Sequence, residues 1–301
     1  MEILAPCVIL DKPQVVKSAL AAYLAGGHIL LEDVPGVAKT MLARALARSV
    51  AADMKRLQCT PDLLPSDITG VPVYNQKTAD FEFRPGPVFT NLLLADEINR
   101  ATPRAQSALL ECMEEFHVSV DGVTHPLPPL FMVLATQNPI DMAGTHPLPE
   151  AQLDRFFVRL SVGYPSEAEE VRILSAQTQR HPIEALAPVV TPANILAARE
   201  AVKSVHISAD VAAYIARIAA ATRVHADLRL GVSPRGTLAL ARGAQGLASL
   251  RGRAYVTPDM VKAMAKPVLA HRLIVRPQAA AGGRQAQRIL AEILDQVAPP
   301  V

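Results

Sequence analysis

Short apolar runs alternate with helical patterns between residues 26 and 160, and this alternation constrains the fold more than any other feature. The strand candidates are His28–Glu32, Arg56–Cys59, Leu92–Asp96, Phe131–Thr136 and Phe156–Leu160. Strands apolar on both faces need cover on both, which a parallel sheet with crossover helices provides. Lys39–Ser49 and Pro103–Phe116 read as two of those helices. In the second, Thr102 fits the N-cap and Pro103 the first helical position, while Leu109, Cys112, Met113 and Phe116 share a face. The pattern predicts an α/β core, a parallel sheet sandwiched by helices, over residues 1–162.

Two segments interrupt the rhythm. Residues 71–88 are too long and polar for a simple connection and read as an insert carrying a short hairpin. Residues 118–127 alternate around Asp121-Gly122, a strong hairpin signal. After Gly163, Tyr164-Pro165-Ser166 opens a helix whose first turns carry Glu167, Glu169 and Glu170, where carboxylates suit the helix dipole. A Pro-containing linker, His181–Pro192, follows, and then helices beginning near Ser208, Ser233 and Thr257-Pro258. Residues 163–301 therefore read as a linker and a small all-α lid domain.

Composition narrows the function classes. Half the residues are hydrophobic and 19% are charged, so a large core can be buried. A net charge of +2, an aromatic content of 4% and no Trp argue against a stacking platform for nucleic acid. Cys7, Cys59 and Cys112 lie far apart and form no CxxC pair, which points to buried apolar side chains in a reducing compartment. With no span-length apolar run and no basic N-terminal region before an apolar one, the expected location is the cytoplasm.

The segment from His28 through Thr40 is a buried strand, a tight Pro-Gly turn, Lys-Thr and then an Ala- and Leu-rich helix. Such a loop turns successive backbone N–H groups and a helix dipole toward an anion. Lys39 is then suited to the β- and γ-phosphates of a nucleotide and the Thr40 hydroxyl to Mg²⁺. Asp33 and Ala38 stand where the usual pattern has glycines, and Gly36 remains for the turn. A carboxylate at Asp33 beside a triphosphate weakens binding unless its side chain points away.

Four apolar residues, Leu92–Ala95, deliver Asp96 and Glu97 to the C-terminal end of a strand, where α/β folds bind ligands. Asp96 suits Mg²⁺, directly or through water, and Glu97 suits proton abstraction from an attacking water. The run from Phe131 to Thr136 leads to Asn138, which either hydrogen-bonds the γ-phosphate, orients the water or simply turns the chain before Pro139. Arg155 ends a short helix at a domain edge, able to reach a neighbouring subunit's site or to pair with Asp154 or Glu150. Ser233-Pro234 places Arg235 in the first turn of a helix, against the dipole, a conflict that a shared anion resolves.

In this order the motifs resemble those of AAA+ ATPases, and those of the MoxR family in particular. The resemblance spans nearly the whole chain and rests on residues 26–40, 60–70, 86–115, 135–139, 144–156 and 231–236. It implies a Walker A loop with Gly36, Lys39 and Thr40, and ATP bound along Pro35, Gly36, Val37, Ala38, Lys39, Thr40 and Met41. It implies a Walker B pair at Asp96 and Glu97, sensor 1 at Asn138, an arginine finger at Arg155 and sensor 2 at Arg235. Residues 71–88 then correspond to the helix-2 insert and 118–127 to the pre-sensor-1 hairpin. The resemblance further implies a hexameric ring, a von Willebrand factor A domain partner and a protein client that is assembled or activated. The expected activity is Mg²⁺-dependent ATP hydrolysis coupled to that remodelling. Two alternatives come from other classes: a nucleotide-gated scaffold with incidental hydrolysis, and a nucleic-acid motor, which charge and composition disfavour.

Overall fold

The apolar runs do become strands of one sheet. The structure is a computed structural model and describes residues 12–34, 39–139, 144–177, 183 and 186–300. It opens with α1 (Pro13–Leu24) and β1 (Ile29–Glu32), then α2 (Lys39–Ser49), β2 (Met54–Gln58) and the short α3 (Pro65–Thr69). A hairpin of β3 (Gly70–Asn75) and β4 (Asp80–Pro85) precedes β5 (Leu92–Asp96) and α4 (Pro103–Glu115). A second hairpin, β6 (His117–Val120) and β7 (Val123–Pro126), leads to β8 (Met132–Gln137), α5 (Glu150–Leu153) and β9 (Val158–Leu160). Helices α6 (Glu167–Gln177), α7 (Pro192–Lys203) and α8 (Ala209–Val224) follow, then β10 (Leu228–Leu230), α9 (Pro234–Leu250) and α10 (Pro258–Leu269). The chain closes with β11 (Ile274–Val275), α11 (Pro277–Ala281) and α12 (Ala286–Gln296).

The sheet order is β2-β5-β8-β1-β9. β2 runs parallel to β5 with Gln58 opposite Asp96, and β5 runs parallel to β8 with Ala95 opposite Ala135. Every residue of β5 is buried, as are Met132–Thr136 of β8 and Ile29–Leu31 of β1. That two-faced burial is why these runs read as unbroken apolar stretches. β1 sits between later strands, so the chain reverses its direction of winding beside it, and the ends of β1, β8 and β5 form the crevice where such sheets take ligands.

By its contacts the chain divides into two compact units, each assembled from separate stretches. The first comprises Met1–Pro13, Leu30–Leu148 and Ser161–Leu196. In it, Thr102 caps α4 by accepting from Ala105 N–H at 3.4 Å, with Pro103 at the first position. The helix ends one residue earlier than its apolar face suggests, because Phe116 turns left-handed (φ 55°) and closes it. Both hairpins form, and Asp121-Gly122 (φ 50° and 79°) makes the turn of the second.

The second unit comprises Gln14–Ile29, Pro149–Leu160 and Ala197–Val301. It is helical, with Tyr214, Ile218, Leu240, Val261, Val268 and Ile289 in its core. Ser208 and Ser233 cap α8 and α9 by accepting from Val211 and Gly236 N–H at 3.3 and 3.2 Å. Beyond the helices it carries a small antiparallel ribbon, β10 with β11, too short to leave a pattern in the sequence. The last strand of the sheet begins at Val158, not Phe156, because Phe156 N–H closes a turn on Leu153 O at 3.1 Å.

Candidate functional site

The acids at the end of β5 are held by a threonine at the end of β8. Thr136 Oγ1 accepts from Glu97 N–H at 2.9 Å and donates to Asp96 Oδ1 at 3.0 Å. Glu97 sits in the left-handed region (φ 56°, ψ 51°), a conformation unfavourable for a side chain with a Cβ. The hydrogen bond from its amide N–H to Thr136 Oγ1 and the turn that follows hold it there. In that turn, Ile98–Arg100, Gln106 Nε2 donates to the carbonyls of Ile98 and Ala101 at 3.1 and 3.2 Å and to His146 O at 2.8 Å.

Three side chains on neighbouring elements engage the same acids. Arg56 Nε pairs with Asp96 Oδ2 at 2.7 Å. Arg100 Nη1 and Gln58 Nε2 both donate to Glu97 Oε2, at 3.0 and 3.3 Å. Thr136, Arg56, Gln58 and Arg100 did not stand out in the sequence. The parallel register sets Gln58 opposite Asp96, so a known strand order would have brought them forward.

Lys39 begins α2 and donates from Nζ to the carbonyl of Asp33 at 2.7 Å. Burial holds its ammonium below the usual lysine range, while the charges of Asp33, Asp96 and Glu97 counteract that shift. The same three acids therefore lie within electrostatic reach of Lys39. Of the expected nucleotide run, Lys39, Thr40 and Met41 form the first turn of α2, while Pro35, Gly36, Val37 and Ala38 lie outside the described residues.

Asp33 itself is nearly buried at 8% exposure, and its carboxylate is turned to the chain beyond β9. Oδ2 accepts from the N–H groups of Val162 and, at 2.9 Å, Gly163, and from Ser161 Oγ at 3.2 Å. Its charge is thus met by three donors of its own fold, which is the orientation a neighbouring triphosphate tolerates.

Asn138 follows β8, and its carbonyl accepts from Asn99 Nδ2 at 3.3 Å. Arg155 and Arg235 belong to the second unit, unlike Lys39, Thr40, Asp96, Glu97 and Asn138. The two carboxylates considered as partners for Arg155 are engaged by other arginines: Asp154 by Arg272 at 2.6 Å and Glu150 by Arg229 at 3.2 Å.

Among the described residues no group of three or more His, Cys, Asp or Glu could cage a metal ion. A cation at the Asp96 end of β5 would then share the oxygens of a bound nucleotide, and Mg²⁺ favours that arrangement. The hydroxyl of Thr40 and the carboxylate of Asp96 are hard oxygen donors that fit it. Cys59, next to this end of the sheet, is a neutral thiol pushed up to about 12 by burial and then by Asp96 and Glu97. Cys112 is likewise buried, and Cys7 lies outside the described residues.

Two family models match: the ATPase family associated with various cellular activities (AAA) over residues 28–158, and the AAA lid domain over residues 220–293. The chain is 52% identical to the uncharacterized protein YeaC of Bacillus subtilis, over 98% of this chain and 92% of that protein. It is 40% identical to Chaperone MoxR1 of Mycobacterium tuberculosis, over 97% of this chain and 80% of that protein. A solved structure of a candidate ATPase from Cytophaga hutchinsonii superposes with a TM-score of 0.92 at 37% identity, covering 100% of this chain and 94% of that one. A nucleotide-binding sheet, a helical lid and relatives matched over 80% or more of their length agree, and the chain belongs to the MoxR family of AAA+ ATPases.

Proposed function

We propose that ATP hydrolysis occurs at the Lys39–Asp96–Glu97 end of the sheet and drives remodelling of a protein client. The observation that carries this reading is the Thr136 hydroxyl, which joins the Glu97 amide and the Asp96 carboxylate beside the lysine. Glu97 takes a proton from the water that attacks the γ-phosphorus, the bond to the β–γ bridging oxygen breaks, and ADP and phosphate leave. Lys39 lends positive charge to the β- and γ-oxygens, and Asn138 orients the water or the γ-phosphate. Thr40 and Asp96 would hold Mg²⁺, which when bound draws charge from the same phosphate oxygens. Arg155 acts as a finger in the site of an adjacent subunit of a ring, taken as a hexamer, and Arg235 senses the phosphate in its own. The chaperone relative supports a protein client, and a von Willebrand factor A domain protein is the proposed partner. The exposed Tyr74–Phe81 ring pair on the first hairpin offers the client an apolar surface.

Glu97→Gln tests this assignment. The variant is expected to bind MgATP with near-normal affinity in calorimetry and to release almost no phosphate. Normal turnover in that variant would overturn the role of Glu97. One observation favours the nucleotide-gated scaffold as a second reading: both acids already carry arginine partners, Arg56 and Arg100, which must yield before turnover. Phosphate release measured with and without a partner protein separates the two, because a scaffold stays slow in both. A nucleic-acid motor would instead respond to DNA at physiological salt.

A further inference from the structure

Arg272 ends the turn Ala270–Arg272 after α10, and its side chain is only 3% exposed. All five of its N–H groups are used, and four go to the segment around Arg155. Nε donates to Asp154 Oδ1 at 2.6 Å, and Nη2 to the carbonyls of Asp154 and Phe156 at 3.1 and 2.8 Å. Nη1 donates to Phe157 O at 3.2 Å and to Val268 O. The residues immediately before and after Arg155 are therefore gripped by one planar group. His271 adds to the grip, since its Nε2 lies 3.1 Å from Phe156 O.

The same group meets the start of α9. Asp154 Oδ2 accepts from Ser233 Oγ, the cap of α9, at 3.4 Å. A Cβ added at Gly236 would lie 2.9 Å from Arg272 Cδ, so glycine there lets the first turn of α9 sit directly against the arginine stem.

We infer that Arg272 is a positioning residue for Arg155: by fixing the peptide groups on both sides, it sets the direction in which the finger leaves the chain. This rests on the reading of Arg155 as a finger acting on a neighbouring subunit's nucleotide. Fixing two peptide carbonyls and a carboxylate together needs the planar fork of a guanidinium, which an ammonium cannot reproduce. The effect of losing it therefore appears in a neighbour's turnover and not in the subunit's own grip on ATP.

The experiment uses the full chain with Arg272→Lys, and with Asp154→Asn as a second variant should Arg272→Lys fail to fold. Either variant is expected to keep its Kd for ATP within about twofold and to lose at least about tenfold in kcat, part of the ~10³–10⁵ that a finger supplies. Mixing the variant with excess Glu97→Gln chain, which cannot turn over but offers an intact Arg155, is expected to restore turnover at the variant's own sites. Arg155→Ala in the same mixture is the reference. Weakened ATP binding with kcat retained at saturation would overturn the inference. So would absence of restoration where Arg155→Ala is restored. If Arg155→Ala is fully active alone, or is not restored, the finger reading itself fails, and the inference falls for that separate reason.

Discussion

At the residue scale the site depends on side chains that bridge backbone and charge together. Thr136 is 1% exposed and binds the Glu97 amide and the Asp96 carboxylate with one oxygen. Valine has the same shape and neither function, so Thr136→Val removes the buried donor to Asp96 and the acceptor of the part-buried Glu97 amide, in a turn already strained by the left-handed Glu97. A lost buried hydrogen bond of this kind costs ~1–3 kcal/mol, equivalent to roughly 5–150-fold in rate if it falls on the transition state. We expect kcat to drop by that order with ATP affinity little changed and Thr136→Ser close to normal; steady-state phosphate release and calorimetry check it. Asp33 shows the opposite case, a charge whose position in sequence is at odds with a phosphate loop but whose carboxylate is taken up by hydrogen bonds from Ser161, Val162 and Gly163. His271 is buried, and that burial, followed by the charge of Arg272, holds it well below the ordinary histidine value of 6.5. Below that value the unfolded chain takes up a proton that the folded chain refuses, so this residue subtracts stability as the medium is acidified and is silent at pH 8. His271→Gln, which can still donate to Phe156 O, is expected to flatten the fall in melting temperature between about pH 7 and pH 5. An unchanged pH slope would remove His271 as its source.

At the element scale, what the sequence revealed and what it concealed follow from the range of the interactions. The strands of β1, β5 and β8 are legible because burial on two faces demands consecutive apolar residues, as in Leu92–Ala95. Thr102 and Ser233 are legible as caps, and Ser208 as the start of a helix, because their partners lie three residues away. Lys39, Asp96 and Glu97 stand out as candidates because Asp96 closes β5, Glu97 follows it and Lys39 opens α2. Arg56, Gln58 and Thr136 are not, since their meaning depends on which strand lies beside which, and strand order is a long-range property. β10 and β11, of three and two residues, fall below the length at which alternation can be seen. The two hairpins were readable one by one, from length and from Asp121-Gly122. Their linkage was not: Phe83 of β4 stacks on His125 of β7 with ring centroids 4.0 Å apart and planes at 16°. That stack makes two surface devices, separate in sequence, into neighbours within one unit.

At the scale of the whole molecule, the chain does not divide by a single cut into independent pieces. The second unit takes α1 from one end of the sequence and residues 149–160 from the middle, and packs both on its C-terminal helices. Gly246 of α9 lies so close to α1 that an added Cβ would sit 2.6 Å from Ala21 O. Gly243 of the same helix faces Phe157, and Arg272 binds Asp154, Phe156 and Phe157. A fragment ending at Val162 keeps α1 and the 149–160 segment, with β9 still beside β1, and loses the C-terminal residues that pack on both. Removing Arg272 alone leaves Asp154 as a partly buried carboxylate without its partner, and breaking such a pair costs ~3–5 kcal/mol. That is a large share of the ~5–15 kcal/mol by which folded domains exceed their unfolded states. We therefore expect residues 1–162 expressed alone to lack a cooperative thermal transition and to be cut by protease within the α1 and 149–160 stretches. A fragment that melted cooperatively near the temperature of the full chain would show that α1 and residues 149–160 gain little from the C-terminal helices, contrary to their burial and hydrogen bonding.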